Sequence, residues 1–277
     1  MNKYNLIQSM TFLLALVVLP GSQFVNATPI GPNISISGGT SFDTGFSFGD
    51  TTGGMTNTVG GAATMTEVAD DAVTNGGANP LNSSLTHTGD GYSFYGSGSA
   101  AGTEANPDEF AMGFDNAFTV SNSSTTSAYD VVLKLVYSNS VDSSGADAYA
   151  VSEFTVDQDG EENIFSYIVS DTVNGNEKEN EKGVFPAGSF GGPVSDSRTE
   201  FISITLTASE SIDFDLIWTL EGGNFADGGS AAFNSSFDLS VESVTTTVVP
   251  IPGALILFGS GLFGLLGLTR KRKTIVA

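Results

Sequence analysis

The sequence predicts an all-β protein: an antiparallel β-sandwich or jelly-roll-like ectodomain with an N-terminal signal peptide and a single C-terminal transmembrane sorting helix. Three observations predict it. Apolar residues alternate with period two along several stretches of the middle of the chain. Clusters of Gly, Asn, Asp and Ser divide those stretches, as in sandwiches and jelly rolls. Charge is partitioned: all 31 acidic residues lie between Asp43 and Glu242, while five of the nine basic residues (Lys3, Arg270, Lys271, Arg272, Lys273) lie at the ends.

The first 27 residues form the expected signal peptide. Lys3 sits in a short polar start, Thr11–Leu19 is an apolar run too short to span a bilayer, and Pro20-Gly21 ends it. Val25-Asn26-Ala27 then places small residues for cleavage after Ala27. The ectodomain covers 28–248.

Its strands follow in order. Phe42, Thr44, Phe46 and Phe48 share one face of an early strand. Residues 49–106 are rich in Gly, Thr, Asn and Ala and predict long loops, edge strands or a partly ordered segment, with Thr64–Val73 as one short helix. Val131, Leu133, Leu135 and Tyr137 line one face of a strand, as do Ala150, Ser152, Phe154 and Val156 of the next. Residues 171–198, with their Asn/Glu/Lys and Gly/Pro-rich runs, predict a long exposed loop. Three further strands alternate Ile202, Ile204 and Leu206; Ile212, Phe214, Leu216, Trp218 and Leu220; and Phe237, Leu239 and Val241. Thr245–Val249 is a tether to the final segment.

That final segment, 249–273, has three parts. Val249-Pro250-Ile251-Pro252 precedes an uncharged stretch, and Arg270-Lys271-Arg272-Lys273 follows it. As a helix, Gly253–Leu268 covers about 24 Å at ~1.5 Å per residue, so with its neighbours it just crosses a thin bilayer. The basic cluster marks the cytoplasmic end and stops transfer. This ending resembles the PEP-CTERM sorting signal of Gram-negative bacteria, which exosortases process. The resemblance rests on the Phe258-Gly259-Ser260-Gly261-Leu262 run and on a Val-Pro-x-Pro variant of the motif that lacks its Glu. It implies export, transient retention by the helix at 253–269, cleavage near Pro252 and delivery to the cell surface or extracellular matrix.

Composition excludes several chemistries. There is no Cys, hence no disulfide, thiolate zinc site or thiol nucleophile. A net charge of −22 repels nucleic acid. A Ser-His-Asp triad would have to use His87, the only histidine, which stands in a turn-like context. Asp157, Asp159 and Glu161 match the first alternating positions of a calcium loop, but position six is Glu162 instead of Gly, and the alternative is a solvated acidic hairpin turn. Asp213 and Asp215 share the outer face of one strand, as surface acids or as a pair that holds an ion between them. Glu153 with Asp157, or Asp213 with Asp215, provides the formal carboxylate pair of a glycosidase, although so acidic a chain always supplies such pairs. Tyr92, Phe94 and Tyr95 are the one candidate cluster for stacking on a sugar, and Trp218 is expected in the core.

The expected function is that of a non-catalytic surface or extracellular-matrix protein of a biofilm, floc or envelope. Its expected partners are an exosortase, the membrane transiently, and extracellular polysaccharide through divalent cations. No cofactor beyond calcium is implied. A secreted carbohydrate-binding module and a polysaccharide hydrolase are the alternatives.

Overall fold

The computed structural model describes residues 27–180, 182–184 and 188–247. The signal peptide before Ala27, the motif Val249–Pro252, the sorting helix and Arg270–Lys273 lie outside the described residues. Among those described, no helix is long and apolar enough to cross a membrane.

Fifteen strands form two antiparallel sheets, with no helix among the described residues. They are β1 (Ile34–Phe42), β2 (Thr51–Val59), β3 (Ala62–Ala69), β4 (Ala72–Gly76), β5 (Leu81–Leu85), β6 (Gly91–Ala100), β7 (Asp108–Asn122) and β8 (Ala128–Ser144). There follow β9 (Ala148–Gln158), β10 (Glu161–Asp171), β11 (Glu177–Asn180), β12 (Gly183–Val184), β13 (Val194–Leu206), β14 (Ser211–Asn224) and β15 (Ser230–Thr247). One sheet has the order β12-β11-β10-β9-β14-β7-β1-β5, the other β13-β8-β15-β6-β2-β3-β4.

The core lies between the inner faces of the two sheets. The predicted alternation places Val131, Leu133, Leu135 and Tyr137 of β8, Phe154 and Val156 of β9, and Phe237, Leu239 and Val241 of β15 inside. At the centre, Phe94 stacks on Phe114 (4.8 Å, 13°) and Phe237 (4.7 Å, 13°), and Trp218 tilts onto it at 4.8 Å. Such ring pairs add about 0.5–1.5 kcal/mol each beyond the area they bury. The Trp218 indole N–H donates to Ser152 Oγ at 2.9 Å, so the one polar atom of this fully buried ring is satisfied.

Four sequence expectations are corrected. Phe42–Phe48 is not one strand: β1 ends at Phe42, Asp43 Oδ1 accepts from Gly45 N, and Ser47 Oγ donates to Asp43 O, turning the chain before Phe48 bridges to Ala111. Thr64–Val73 is not a helix but the hairpin β3–β4, whose turn holds Asp70 (φ 46°) and Asp71 (φ 64°) in the left-handed region. Aspartate tolerates that region and so serves in two-residue hairpin turns. Residues 49–106 are not loop or partly ordered but carry β2 to β6, of which β4 and β5 are the expected edge strands; their glycines make room for the core, since a Cβ on Gly98 would meet Phe233 at 2.6 Å, where Phe233 packs on Phe110. Thr245–Thr247 is strand, not tether, and pairs with Asp130, Tyr129 and Ala128.

The expected loop 171–198 is the fifth correction, and it links the two sheets at one edge. It contains β11, β12 and the start of β13. Lys178, from β11 of one sheet, meets Asp196, from β13 of the other, at 2.9 Å. Asp196 also accepts from Ser166 Oγ (2.9 Å) and Tyr137 OH (3.3 Å), and Arg198 Nε lies 3.4 Å away. Burial alone would raise the Asp196 pKa. The bonds from Lys178 and Ser166 and the charges of Lys178 and Arg198 outweigh it and hold the carboxyl below the usual range.

Candidate functional site

The outer face of the eight-stranded sheet carries a groove of about 480 Å³ at its β9–β10–β11 end. Strand register builds it. Val151 of β9 faces Val169 of β10, and Val169 faces Glu177 of β11. Tyr149 and Tyr167 lie one pleat to either side, opposite Asp171 and Glu153. On the other flank Glu221 of β14 stands opposite Val151. An aliphatic floor is thus walled by two tyrosines and rimmed by carboxylates.

Asp171 and Asn176 fix the rim. Asp171 accepts from the amides of Val173 (2.6 Å) and Asn174 (2.8 Å) and from the Asn174 side chain. Burial raises its pKa, but these bonds prevail and lower it. The half-buried Tyr149 ring lies parallel to Phe225 at 6.1 Å. Burial, then Glu221 and Glu109, push the Tyr149 hydroxyl pKa up; burial, then chiefly Glu177 and Glu153, do the same to Tyr167. Burial and the neighbouring Glu153 raise Glu221. The groove therefore favours apolar ring faces and hydrogen-bond donors and disfavours anions.

Because its folded pKa is raised, ionised Glu221 destabilises the fold above that pKa, and the penalty fades as pH falls through it. Glu221→Gln is expected to raise the melting temperature at neutral pH and to give no gain in acid. Thermal unfolding of both proteins across pH 3–8 checks this; a gain that persisted in acid would contradict it.

The predicted calcium residues do not converge. Asp159 (φ 51°) and Gly160 (φ 81°) form a two-residue turn between Gln158 and Glu161. In this hairpin Asp157 pairs with Glu162 and Gln158 with Glu161, so alternation puts Asp157 and Glu161 on opposite faces. The carboxylate of Asp159 is engaged elsewhere: its Oδ1 accepts from Asp213 N at 3.0 Å, tying the turn to β14. Among the described residues no group of three or more His, Cys, Asp or Glu is placed to hold a metal ion.

Asp213 and Asp215 share the outer face of β14 as expected, while the other expected residues lie apart. Asp213 accepts from Thr119 Oγ1 at 2.6 Å, and Asp215 stands opposite Asp157 across the ladder. Burial, then Asp215 and Asp43, raise the pKa of nearby Asp115. Glu153 and Asp157 are four residues apart on one face of β9, about 13 Å between their Cα atoms. Glu221 is the carboxylate beside Glu153, which only the β9–β14 register reveals. His87 Nδ1 pairs with Thr86 Oγ1 (2.8 Å), and buried Asp90 accepts from the Thr86 and His87 amides in the same turn. Tyr92 and Phe94 are buried and only Tyr95 is exposed, at 46 %, so the three form no platform. Burial pushes the Tyr92 pKa up to about 12, with its bond to Ser83 working against the rise. Tyr149, Tyr167 and Glu221 were missed because what assembles them is strand pairing.

No family model matches the chain, and no curated protein matches it. Among solved structures, that of the infectious bursal disease virus Gt strain is 11 % identical over 88 % of this chain and 74 % of that one, with a TM-score of 0.12. A VP2 subviral particle of infectious bursal disease virus is 11 % identical over 83 % and 71 %, with the same TM-score. Likenesses this slight carry no argument about fold or function.

Proposed function

We propose that this is a non-catalytic exported protein of a Gram-negative cell surface or extracellular matrix. An exosortase cleaves it near Pro252 after transit through the inner membrane, and it contributes to a biofilm, floc or envelope layer. The observation that carries this reading is the three-part ending at 249–273, with its Phe258–Leu262 run and basic close.

The acidic body supports a mechanism for cohesion. Carboxylates such as Asp115, Asp157 and Asp215 are spread over the outer face of one sheet. A surface of this charge repels anionic polysaccharide until divalent cations bridge the two. Bridging of this kind uses many separate carboxylates and needs no built calcium site. Fractionation of the native host with and without a chelator tests the proposal. The protein and its polysaccharide are expected at the surface and to be released together by chelation. Indifference to chelator would overturn the bridging mechanism, and confinement to the inner membrane would overturn the matrix reading.

The groove at Tyr149 and Tyr167 favours a second reading, a carbohydrate-binding module: two tyrosines over an aliphatic floor suit the C–H face of a neutral sugar. Titration with neutral oligosaccharides, with Tyr167→Ala as control, distinguishes it. Binding that survives the substitution would argue against this groove.

A further inference from the structure

We infer that the groove at Tyr149 and Tyr167 binds a polysaccharide whose sugars carry protonated amines, laid along the strands between two rows of carboxylates. The inference rests on the carbohydrate reading of this groove and names the class of sugar it selects.

Register lays out a lane on the outer face of the eight-stranded sheet. Its centre runs along β9 and β10 from Tyr167, over the paired Val151 and Val169, to Tyr149. Tyr167 stands opposite Glu153, four residues along β9 from Tyr149, so the Cα atoms of the two tyrosines are about 14 Å apart. A lane of that length accommodates a short run of pyranose rings.

Carboxylates line both sides of the lane in successive rows. Glu179 and Glu153 flank Tyr167, and Glu177 and Glu221 flank the two valines. Asp171 flanks Tyr149 on one side, and Glu109 lies beyond Gly223 on the other. Glu153, Glu177 and Glu179 are exposed and Glu221 is half-buried. Among the described residues, none of these four pairs with a basic side chain. Lys178 is the only basic residue on β7, β9, β10, β11 and β14, and its side chain faces the other way, against Asp196. Lys182 lies beyond them, in the turn between β11 and β12. The carboxylates converge on the rings: after burial, the charges of Glu177, Glu153, Glu221 and Glu179 all raise the Tyr167 pKa.

Charge complementarity selects the occupant. An anionic polymer is repelled from this lane, and a neutral sugar leaves its carboxylates facing one another. A protonated amine offsets them and is attracted by the π faces of the tyrosines. An amino sugar holds that amine at the edge of a compact ring. The C–H face of the ring lies on the valines and tyrosines while the amine reaches a flanking carboxylate. A lysine side chain carries its ammonium on a flexible four-carbon stem and loses more conformational freedom in making the same contacts.

Calorimetric titration of the full-length chain in mild detergent tests the inference, at an ionic strength that screens distant carboxylates. The probes are a glucosamine tetramer, its fully N-acetylated counterpart and tetralysine. The amine tetramer is expected to bind at least about tenfold tighter than the acetylated one. Glu221→Gln is expected to weaken the amine tetramer about fivefold and to leave the acetylated one unaffected. Tyr167→Ala is expected to weaken both. Asp213→Asn makes the same change in net charge on β14, about 26 Å from Glu221, and is expected to leave binding unchanged. Equal or tighter binding of the acetylated tetramer would overturn the inference and leave the carbohydrate reading standing. Binding of neither sugar, or binding indifferent to Tyr167→Ala, would overturn both. Equal losses from Glu221→Gln and Asp213→Asn, or equally tight binding of tetralysine, would mean only that an acidic body attracts cations, and the inference would fall.

Discussion

Replacing Trp218 with alanine is expected to cost about 4 kcal/mol, the largest loss for any single side chain of this fold. The residue is fully buried at the middle of β14, between β7 and β9. Its ring touches Phe94 at 4.8 Å and Phe154 at 6.0 Å, the latter edge-on at 69°. Truncation removes these contacts, opens a cavity that the surrounding strands can collapse only in part, and leaves Ser152 Oγ without its donor. Against a total stability of about 5–15 kcal/mol, that is a third or more of the fold. Denaturant unfolding followed by circular dichroism measures it, with Tyr95→Ala as an exposed control expected to change stability by less than about 0.5 kcal/mol. Equal effects of the two substitutions would place the core elsewhere.

Asp196→Ala is expected to cost about 3 kcal/mol, the low end for a broken buried ion pair, because Lys178 keeps a side open to solvent. The loss arises from leaving Lys178, Arg198 and Ser166 without their shared acceptor where the two sheets meet. The same group gives a pH signature. Its folded pKa is depressed, so its stabilisation is present above the ordinary Asp value of about 3.9 and is lost as pH falls through the lower folded value. Asp115, Asp238 and Glu221 are raised and act in the opposite sense. Asp196→Ala is therefore expected to be costly at pH 7 and to cost progressively less below about pH 4. Stability curves at a series of pH values decide it; a cost independent of pH would mean that the ionised carboxylate is not what holds the clasp.

Sequence periodicity reached the central strands because there one face is buried along the whole length. Ile212 to Leu220 alternate on β14, and Trp218 follows as core. It failed where packing is set by distant residues. The glycines of β2 and β6 looked like loop because the rings they make room for, such as Phe233, come from other strands. Thr64–Val73, expected as a short helix, is two short strands because the Asp70–Asp71 turn reverses the chain and lets β3 and β4 pair. The Lys178–Asp196 clasp was hidden inside a polar run that composition assigns to a loop. The groove was hidden for another reason: alternation tells which face Tyr149, Tyr167 and Glu221 occupy, but only register says that they are neighbours.

Intact mass and C-terminal peptide mapping of the mature protein from its native host, with cells, membranes and medium separated, test the central claim most directly. A chain ending near Pro252, recovered at the surface or in the medium, is the predicted result. A chain that retains Arg270–Lys273 and stays in the inner membrane would contradict it.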